Sequence, residues 1–310
     1  RPERAAALAR QVLQMSPDAA TANAAATLLK DMVPDWHFVI VRDRARNEAF
    51  EQALVRAVKP GSRVLDIGSG TGLLAMMAAR AGAETVITCE QNAAVAGAAA
   101  KVLAANGLAG TVRLIEKHSA DLDPQGDLGG PLDVVVSEIV SNNMVGQGCL
   151  PVMEQAASWL KPDGRMIPQA GTIRVALAWS EAVERRRVGV VQGFDLSPFN
   201  ELASAAHSYG VGDSAIEIRS STADLMHFDF RSGGPFPAGT ERARVIADGR
   251  PANGVVQWIH LQMDDEIVYE NRPEPGATSC WAVVFYPVAK TLEGRPGAPG
   301  EIVGAHDRHS

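Results

Sequence analysis

Apolar residues change their rhythm twice along this chain. From 61 to 168, short β-branched and leucine-rich runs at 63–67, 85–89, 112–116, 132–137 and 165–168 alternate with longer stretches at about 73–81, 93–106 and 150–160. The short runs read as buried strands and the longer stretches as helices packed on them. Their alternation predicts a doubly wound parallel sheet. Beyond 170 the helical rhythm disappears. Runs at 172–179, 216–218, 225–230, 243–247, 254–263 and 280–288, separated by turn residues, predict an all-β half, a sandwich or barrel. The interval 193–212, with Phe194, Pro198, Phe199 and Tyr209, is long for a loop and is expected to form a protruding, partly helical arm. At the other end, Leu8, Val12 and Leu13 fall at helical spacing, Ser16-Pro17-Asp18 interrupts them, and a second helix is expected over 19–32. This short helical segment reads as a lead-in packed on the next domain. A helix over 47–58 places Phe50, Leu54, Val55 and Val58 on one face and stops at Lys59-Pro60-Gly61. The expected division is a helical lead-in at 1–33, an α/β domain at 34–168, a β domain at 169–290 and a Gly/Pro-rich tail at 291–310.

Bulk properties narrow this picture only a little. The chain has 310 residues, 46% of them hydrophobic, enough for a sizeable core. No apolar run approaches a membrane span. The start lacks the pattern of a signal peptide, and a first residue of Arg rather than Met reads as a trimmed start. Cys89, Cys149 and Cys280 lie far apart without metal-ligand spacing, which suits a reducing cytoplasm and small core residues. His306-Asp307-Arg308-His309 reads as a solvated tail, so no metal is expected. A net charge of −7 argues against nucleic acid and is compatible with a cationic substrate.

The chemistry concentrates where the predicted strands end. After 63–67 come Gly68, Gly70 and Gly72, preceded by Asp66. Glycines let the backbone turn sharply and approach a ligand closely. A dinucleotide fingerprint wants G-x-G-x-x-G, whereas position 73 is Leu. The pattern instead resembles the first motif of S-adenosylmethionine (SAM) methyltransferases. Glu90 ends the second strand, where a carboxylate can accept both ribose hydroxyls. Ser119 follows the third strand and is a candidate for the adenine edge. Glu138 ends the fourth.

With Glu138 added to these motifs, the chain resembles the protein arginine methyltransferases over roughly 34–290, with the helical lead-in pointing to the repeat-bearing branch of types seven and nine. The resemblance rests on Trp36-His37-Phe38 with Asp43-Arg44-Ala45-Arg46-Asn47, the glycine turn, Glu90, His118-Ser119, Ser137-Glu138 with Gly146, Gly193-Phe194-Asp195-Leu196, Asn253-Gly254-Val255 through Trp258, and Cys280-Trp281 through Tyr286. It implies a Rossmann-like SAM-binding domain followed by a β-barrel substrate domain, an arm that makes a homodimer, and S-adenosylhomocysteine as the cofactor product. Arg46 would bind the cofactor carboxylate and steady Glu138. Asp66, Gly68, Gly70 and Gly72 would lie against the methionine portion, Glu90 against the ribose and Ser119 against the adenine. Trp36 and His37 would fold over the cofactor. Glu138 would be the first of two substrate-gripping glutamates.

Two positions depart from that family. Nine residues after Glu138, where the second glutamate belongs, stands Gln147; beside Trp281, where histidine belongs, stands Cys280. Two carboxylates can grip a guanidinium bidentately and localise its charge. A glutamine keeps one acceptor but loses the charge. Three readings stay open: an introduced Glu-to-Gln change, a natural site for free arginine or another amine, or a weakly active member. The expected activity is methyl transfer to a guanidino nitrogen of arginine, in protein or free, with Glu138 and Gln147 as catalytic residues and Trp281 and Cys280 beside the substrate. The alternatives are a small-molecule methyltransferase with a non-guanidino acceptor, or a SAM-binding scaffold without turnover.

Overall fold

The computed structural model describes residues 2–15, 17–31, 33–213 and 215–308, apart from the side chains of residues 2, 3, 6, 7 and 147. Helices α1 (Pro2–Gln14) and α2 (Ala19–Asp31) form a hairpin whose first member packs on the α/β domain, with Arg10 and Glu116 3.5 Å apart. Ser16 and Met32, expected at the break and at the end of the second helix, lie outside the described residues. Next come α3 (Trp36–Ile40), α4 (Arg44–Ala57), β1 (Arg63–Ile67), α5 (Leu73–Arg80), β2 (Thr85–Cys89), α6 (Ala93–Ala105), β3 (Val112–Ile115), β4 (Leu132–Ser137), α7 (Cys149–Ala157) and β5 (Leu160–Ile167).

The five strands form a parallel sheet in the order β3-β2-β1-β4-β5. Val64, Leu65, Val134, Val135 and Val136 are wholly buried, as expected of central strands covered on both faces. The order reverses between β1 and β4, and such a reversal opens a crevice at the carboxyl ends of the strands. Register fixes what lines it. Ile67 pairs with Cys89 on one side and Ser137 on the other, and Cys89 pairs with Ile115. Gly68, Glu90 and Glu138 are therefore each the next residue after a row of paired strand ends. Helix α4 turns Phe50, Ala53 and Leu54 into the core, and its start points Arg46 toward the same crevice.

The remainder is β6 (Ala170–Ser180), α8 (Glu181–Glu184), β7 (Val190–Val191), β8 (Phe194–Asp195), β9 (His207–Tyr209), β10 (Ile216–Ile218), β11 (Ala223–Asp229), β12 (Gly239–Ile246), β13 (Ala252–Gln262), β14 (Val268–Glu270), β15 (Val283–Leu292) and β16 (Pro299–His306). Seven of these make an antiparallel sheet, and β12 and β16 form a two-stranded ribbon. Alternation along β6 and β13 gives the sheet two apolar faces. Ile173, Val175, Ile259 and Leu261 join the main core, while Ala176, Val256, Trp258 and Phe285 form a second cluster.

Three expectations need correction. The helix expected to 160 and the strand expected from 165 meet differently: residues 161–164 are a bulge inside β5, between the Leu132–Leu160 and Val134–Arg165 pairs, and the helix ends at Ala157. The arm is shorter than 193–212. The β7–β8 hairpin and a 3-10 turn at Ser197–Leu202 protrude, but His207–Tyr209 pairs with Val283–Phe285 and belongs to the sheet. The tail carries a strand rather than a solvated end: residues 299–306 pair with 239–246 along the whole ribbon, and β15 itself reaches Leu292. Ile302 fills the main core, and the His306 ring stands on edge to Phe228 at 5.4 Å. His309 lies outside the described residues, among which no cluster suited to a metal ion occurs.

Candidate active site

The glycine turn comes first. Gly68, Gly70 and Gly72 have φ of 83°, 51° and 81°, a region costly for residues with a Cβ. A Cβ on Gly68 would also stand 3.0 Å from the Ile139 side chain. The amides of Gly68 and Ser69 donate to the Cys89 carbonyl, which pins the turn to the neighbouring strand. Glu90 braces it from the other side. Its Oε2 accepts the Gly70 amide at 3.1 Å and its Oε1 the Asn92 amide at 2.8 Å. Burial holds this carboxyl above its usual range, against the pull of those amides. Ser119 is buried at the start of a 3-10 turn, and the adjacent His118 Nδ1 accepts the Ala120 amide.

Asp66 is 1% exposed; Thr88 donates to its Oδ2 at 2.9 Å. Burial pushes this carboxyl up to about 7, against the pull of Thr88 and Arg46. Arg46 is buried with its guanidinium over the Phe50 ring, donating from Nη2 to Glu138 Oε2 at 2.6 Å and from Nη1 to Asn47 Oδ1 at 2.7 Å. Burial likewise pushes Glu138 up to about 7 even though Arg46 draws it down; nearby Asp66 and Asp43 add to the rise. Asp66 Oδ1, Ser69 Oγ, Arg46 Nε and Glu138 Oε1 are buried without a hydrogen-bond partner. Buried polar atoms in native proteins are normally paired, so an unpaired group of this kind at a sheet switch point is a set of contacts waiting for a polar ligand. Asp43, Asp66, Glu90 and Glu138 outnumber Arg46, which suits a ligand carrying positive charge.

Two loops complete the surroundings of Glu138. Residues 141–148 make a tight loop. Asn143 Oδ1 accepts the Gly146 amide at 3.0 Å and the Ser141 hydroxyl at 2.5 Å, and a Cβ on Gly146 would collide with Ser141 Oγ. Gln147 stands in the following 3-10 turn, Gly146–Gly148; its side chain lies outside the described residues. The loop at 279–282 lies across this one. Trp281 donates from Nε1 to the Val140 carbonyl at 3.0 Å, and the Ala282 amide donates to Asn142 Oδ1 at 3.0 Å. Trp281 is 4% exposed, so its ring supports the loop from beneath. Cys280 is half-buried, and burial, with Asp43 and Glu138 near, raises its thiol well above the usual range. Cys89 and Cys149 are buried, and burial pushes both up to about 12.

The structure thus brings Arg46, Asp66, Gly68, Gly70, Glu90 and Glu138 together and sets Cys280 and Trp281 against them. Trp36 and His37 stand apart. Their rings stack at 3.7 Å, Trp36 is 46% exposed and α3 buries none of its residues. Sequence reasoning missed most of what Asp43 does. In the sequence, Asp43 and Arg46 stand three apart, a spacing that by itself gives no more than a surface ion pair. Asp43 is instead the N-cap of α4, its Oδ1 accepting the Arg46 amide at 2.9 Å, and its Oδ2 accepts the Tyr269 hydroxyl and the Cys280 amide. The legible signal was an aspartate just ahead of a helical run. Tyr269 and Asn142 carried none.

Comparison with known proteins agrees with this geometry. Residues 49–176 match the model of the ribosomal protein L11 methyltransferase (PrmA) family. The chain is 39% identical over 303 residues to an arginine N(omega)-methyltransferase of Streptomyces achromogenes subsp. streptozoticus, covering 94% of this chain and 82% of that protein. It is 30% identical over 260 residues to protein arginine N-methyltransferase 7 of Oryza sativa subsp. japonica, covering 76% of this chain but only 36% of that longer protein. Its fold is similar to a chain of the Trypanosoma brucei PRMT1 enzyme–prozyme heterotetrameric complex with AdoHcy, at a TM-score of 0.75 and 22% identity, over 87% of this chain and 88% of that one.

Proposed function

The chain belongs to the arginine N-methyltransferase family, and from that premise we propose that it transfers a methyl group from SAM to a guanidino nitrogen of free arginine. It is a SAM-dependent methyltransferase. The observation that carries the guanidino reading is Glu138, a buried carboxylate at the sheet switch point with one oxygen on Arg46 and the other unpartnered. The free amino acid is preferred because the Streptomyces relative, named for arginine itself, matches over most of both chains. The rice relative, named for protein arginine, matches over about a third of its own length.

The residues present fit SAM. The glycine turn leaves room for a close backbone approach, and the orphaned atoms of Asp66, Ser69 and Arg46 supply polar contacts. In this reading Arg46 Nε meets the cofactor carboxylate, and Asp66 with Gly68, Gly70 and Gly72 surrounds the methionyl portion. Glu90 takes the ribose hydroxyls, Ser119 borders the adenine, and the exposed Trp36–His37 pair closes over the whole. SAM supplies an electrophilic methyl group on a sulfonium.

The protein's task is alignment and charge placement. A guanidinium is a weak nucleophile because its charge is delocalised and its pKa exceeds about 12. Glu138 accepts N–H bonds from one side of the fork, draws the positive charge there and leaves electron density on the nitrogen facing the methyl group. With the carboxyl poised near 7, it is also placed to take the proton the nitrogen sheds. Gln147 contributes an acceptor without charge, and Cys280, on the loop held by Trp281, forms the opposite wall.

Exposed Val190, Phe194, Phe199 and Leu202 on the arm suit a homodimer contact, and the three cysteines, without a disulfide, suit the cytoplasm. No helix among the described residues is long and apolar enough to cross a membrane. The test offers purified protein labelled SAM with free arginine, arginine-rich peptides, or an amine lacking a guanidino group. Label should enter free arginine most rapidly. Transfer to the peptide alone would overturn the free-arginine reading, and transfer to the amine alone would overturn the guanidino reading.

A further inference from the structure

We propose that Tyr269 is a positioning residue for methyl transfer, its hydroxyl fixing Asp43 and thereby the helix start that carries Arg46. The inference rests on the reading of Arg46 as the group that meets the cofactor carboxylate. Asp43 Oδ1 caps α4 through the Arg46 amide at 2.9 Å. Its Oδ2 accepts from two donors of the β domain, the Tyr269 hydroxyl at 2.7 Å and the Cys280 amide at 2.8 Å. One carboxylate thus joins the first turn of α4 to a strand more than 200 residues away in sequence.

The donor order follows from chemistry. An ionised carboxylate accepts only, so the single tyrosine proton goes to Asp43. Ser279 Oγ lies 2.7 Å from the same phenol oxygen, and its own proton completes that contact. Burial and the Asp43 charge raise the phenol far above its usual range, so it remains a donor at every working pH. The ring is as constrained as the hydroxyl. Tyr269 pairs with Leu261 in the sheet and meets Trp281 edge-on at 5.3 Å. Trp281 in turn holds the Val140 carbonyl, two residues past Glu138. Both members of the Arg46–Glu138 pair are therefore tied back to this ring pair, one through Asp43 and one through Val140. A cap bond to a charged side chain is stronger than a neutral one and sets the direction of the first helical turn. Without the phenol, Asp43 Oδ2 keeps only one of its two donors, the Cys280 amide.

The test is a mutant cycle read by SAM calorimetry on the full chain, using Tyr269→Phe, Arg46→Lys and the double variant. Tyr269→Phe removes one oxygen and keeps the ring. It should weaken SAM about tenfold and lower turnover by a similar factor, while melting within a few degrees of the parent. In the Arg46→Lys background the same change should cost less than about twofold, because residues acting through one another are non-additive. SAM binding by Tyr269→Phe at the parent's affinity would overturn the proposal. So would an equal loss in both backgrounds, which is what a merely structural role gives. Because this reads cofactor binding, failure of arginine to accept label would leave it standing and remove only the substrate assignment.

Discussion

Gly68, Glu90 and Ser119 follow strands that lie side by side in one sheet, whereas the surroundings of Glu138 come from residues 43–47, 138–148 and 269–282, which no local motif links. The first set is placed by register. Once Ile67, Cys89 and Ile115 are in line, the residues after them converge with no further instruction. The second set is placed by single hydrogen bonds between distant side chains, each contributing about 0.5–3 kcal/mol. The cofactor half should therefore withstand most single changes, while the substrate half is open both to damage and to retuning. Arg46 and Glu138 form the seam: Glu138 directly follows a strand of that sheet, whereas Arg46 comes from the distant segment 43–47.

Cutting the seam should have the largest effect. Arg46→Ala leaves Glu138 buried and unpaired near Asp66 and Asp43, at a cost of about 3–5 kcal/mol. Urea unfolding should show that loss, and calorimetry should show SAM binding weakened as well. If stability were unchanged, the pair would not be holding the halves together. Glu138→Gln should be more selective. Turnover on arginine should fall about 10²–10³-fold, as when one preorganised partner of a transition state is removed. SAM affinity should stay within a few-fold, and a comparable drop in affinity would show that the two halves are not separable in this way.

Gln147→Glu should move in the opposite direction. Restoring the charge at the ninth position after Glu138 should raise turnover on arginine by roughly tenfold, since charge-assisted contacts are about twice as strong as neutral ones. Unchanged or lower turnover would mean that this loop is adapted to its glutamine.

The smallest effect is a pH dependence with a definite sign. Glu138 and Asp66 both sit near 7, above their ordinary values of 4.5 and 3.8, because they are buried. A carboxyl raised on folding binds more protons in the native state, so its contribution is complete below the unfolded value and is lost as pH rises to about 7. Denaturant titrations without SAM should show that contribution to stability falling across this window. Only ionised Glu138 can grip a guanidinium, so kcat/KM for arginine should rise through about pH 7. A profile flat from 5 to 8 would contradict the assignment.

The same contrast explains what could be read in advance. Asp66, the glycine turn and Glu90 were legible because spacing along consecutive strands fixes them. Glu138 was legible as the end of a buried run. Asp43 was half legible: an aspartate just ahead of a helical run is a cap signal that went unread, and nothing in 43–47 points to Tyr269. The bulge at 161–164 and the pairing of 299–306 were hidden because Gly and Pro read as turns, while the partners that override that reading lie up to 67 residues away in the ribbon. The resemblance placed Trp281 beside the substrate; that its indole N–H holds Val140, and so the loop after Glu138, had no signal in the sequence.

Fragmentation of the product formed from labelled SAM and free arginine tests the central claim most directly. The account predicts the label on a terminal guanidino nitrogen, where Glu138 directs it. Label on the α-amine or carboxylate, or SAM bound with no arginine methylated, would contradict it.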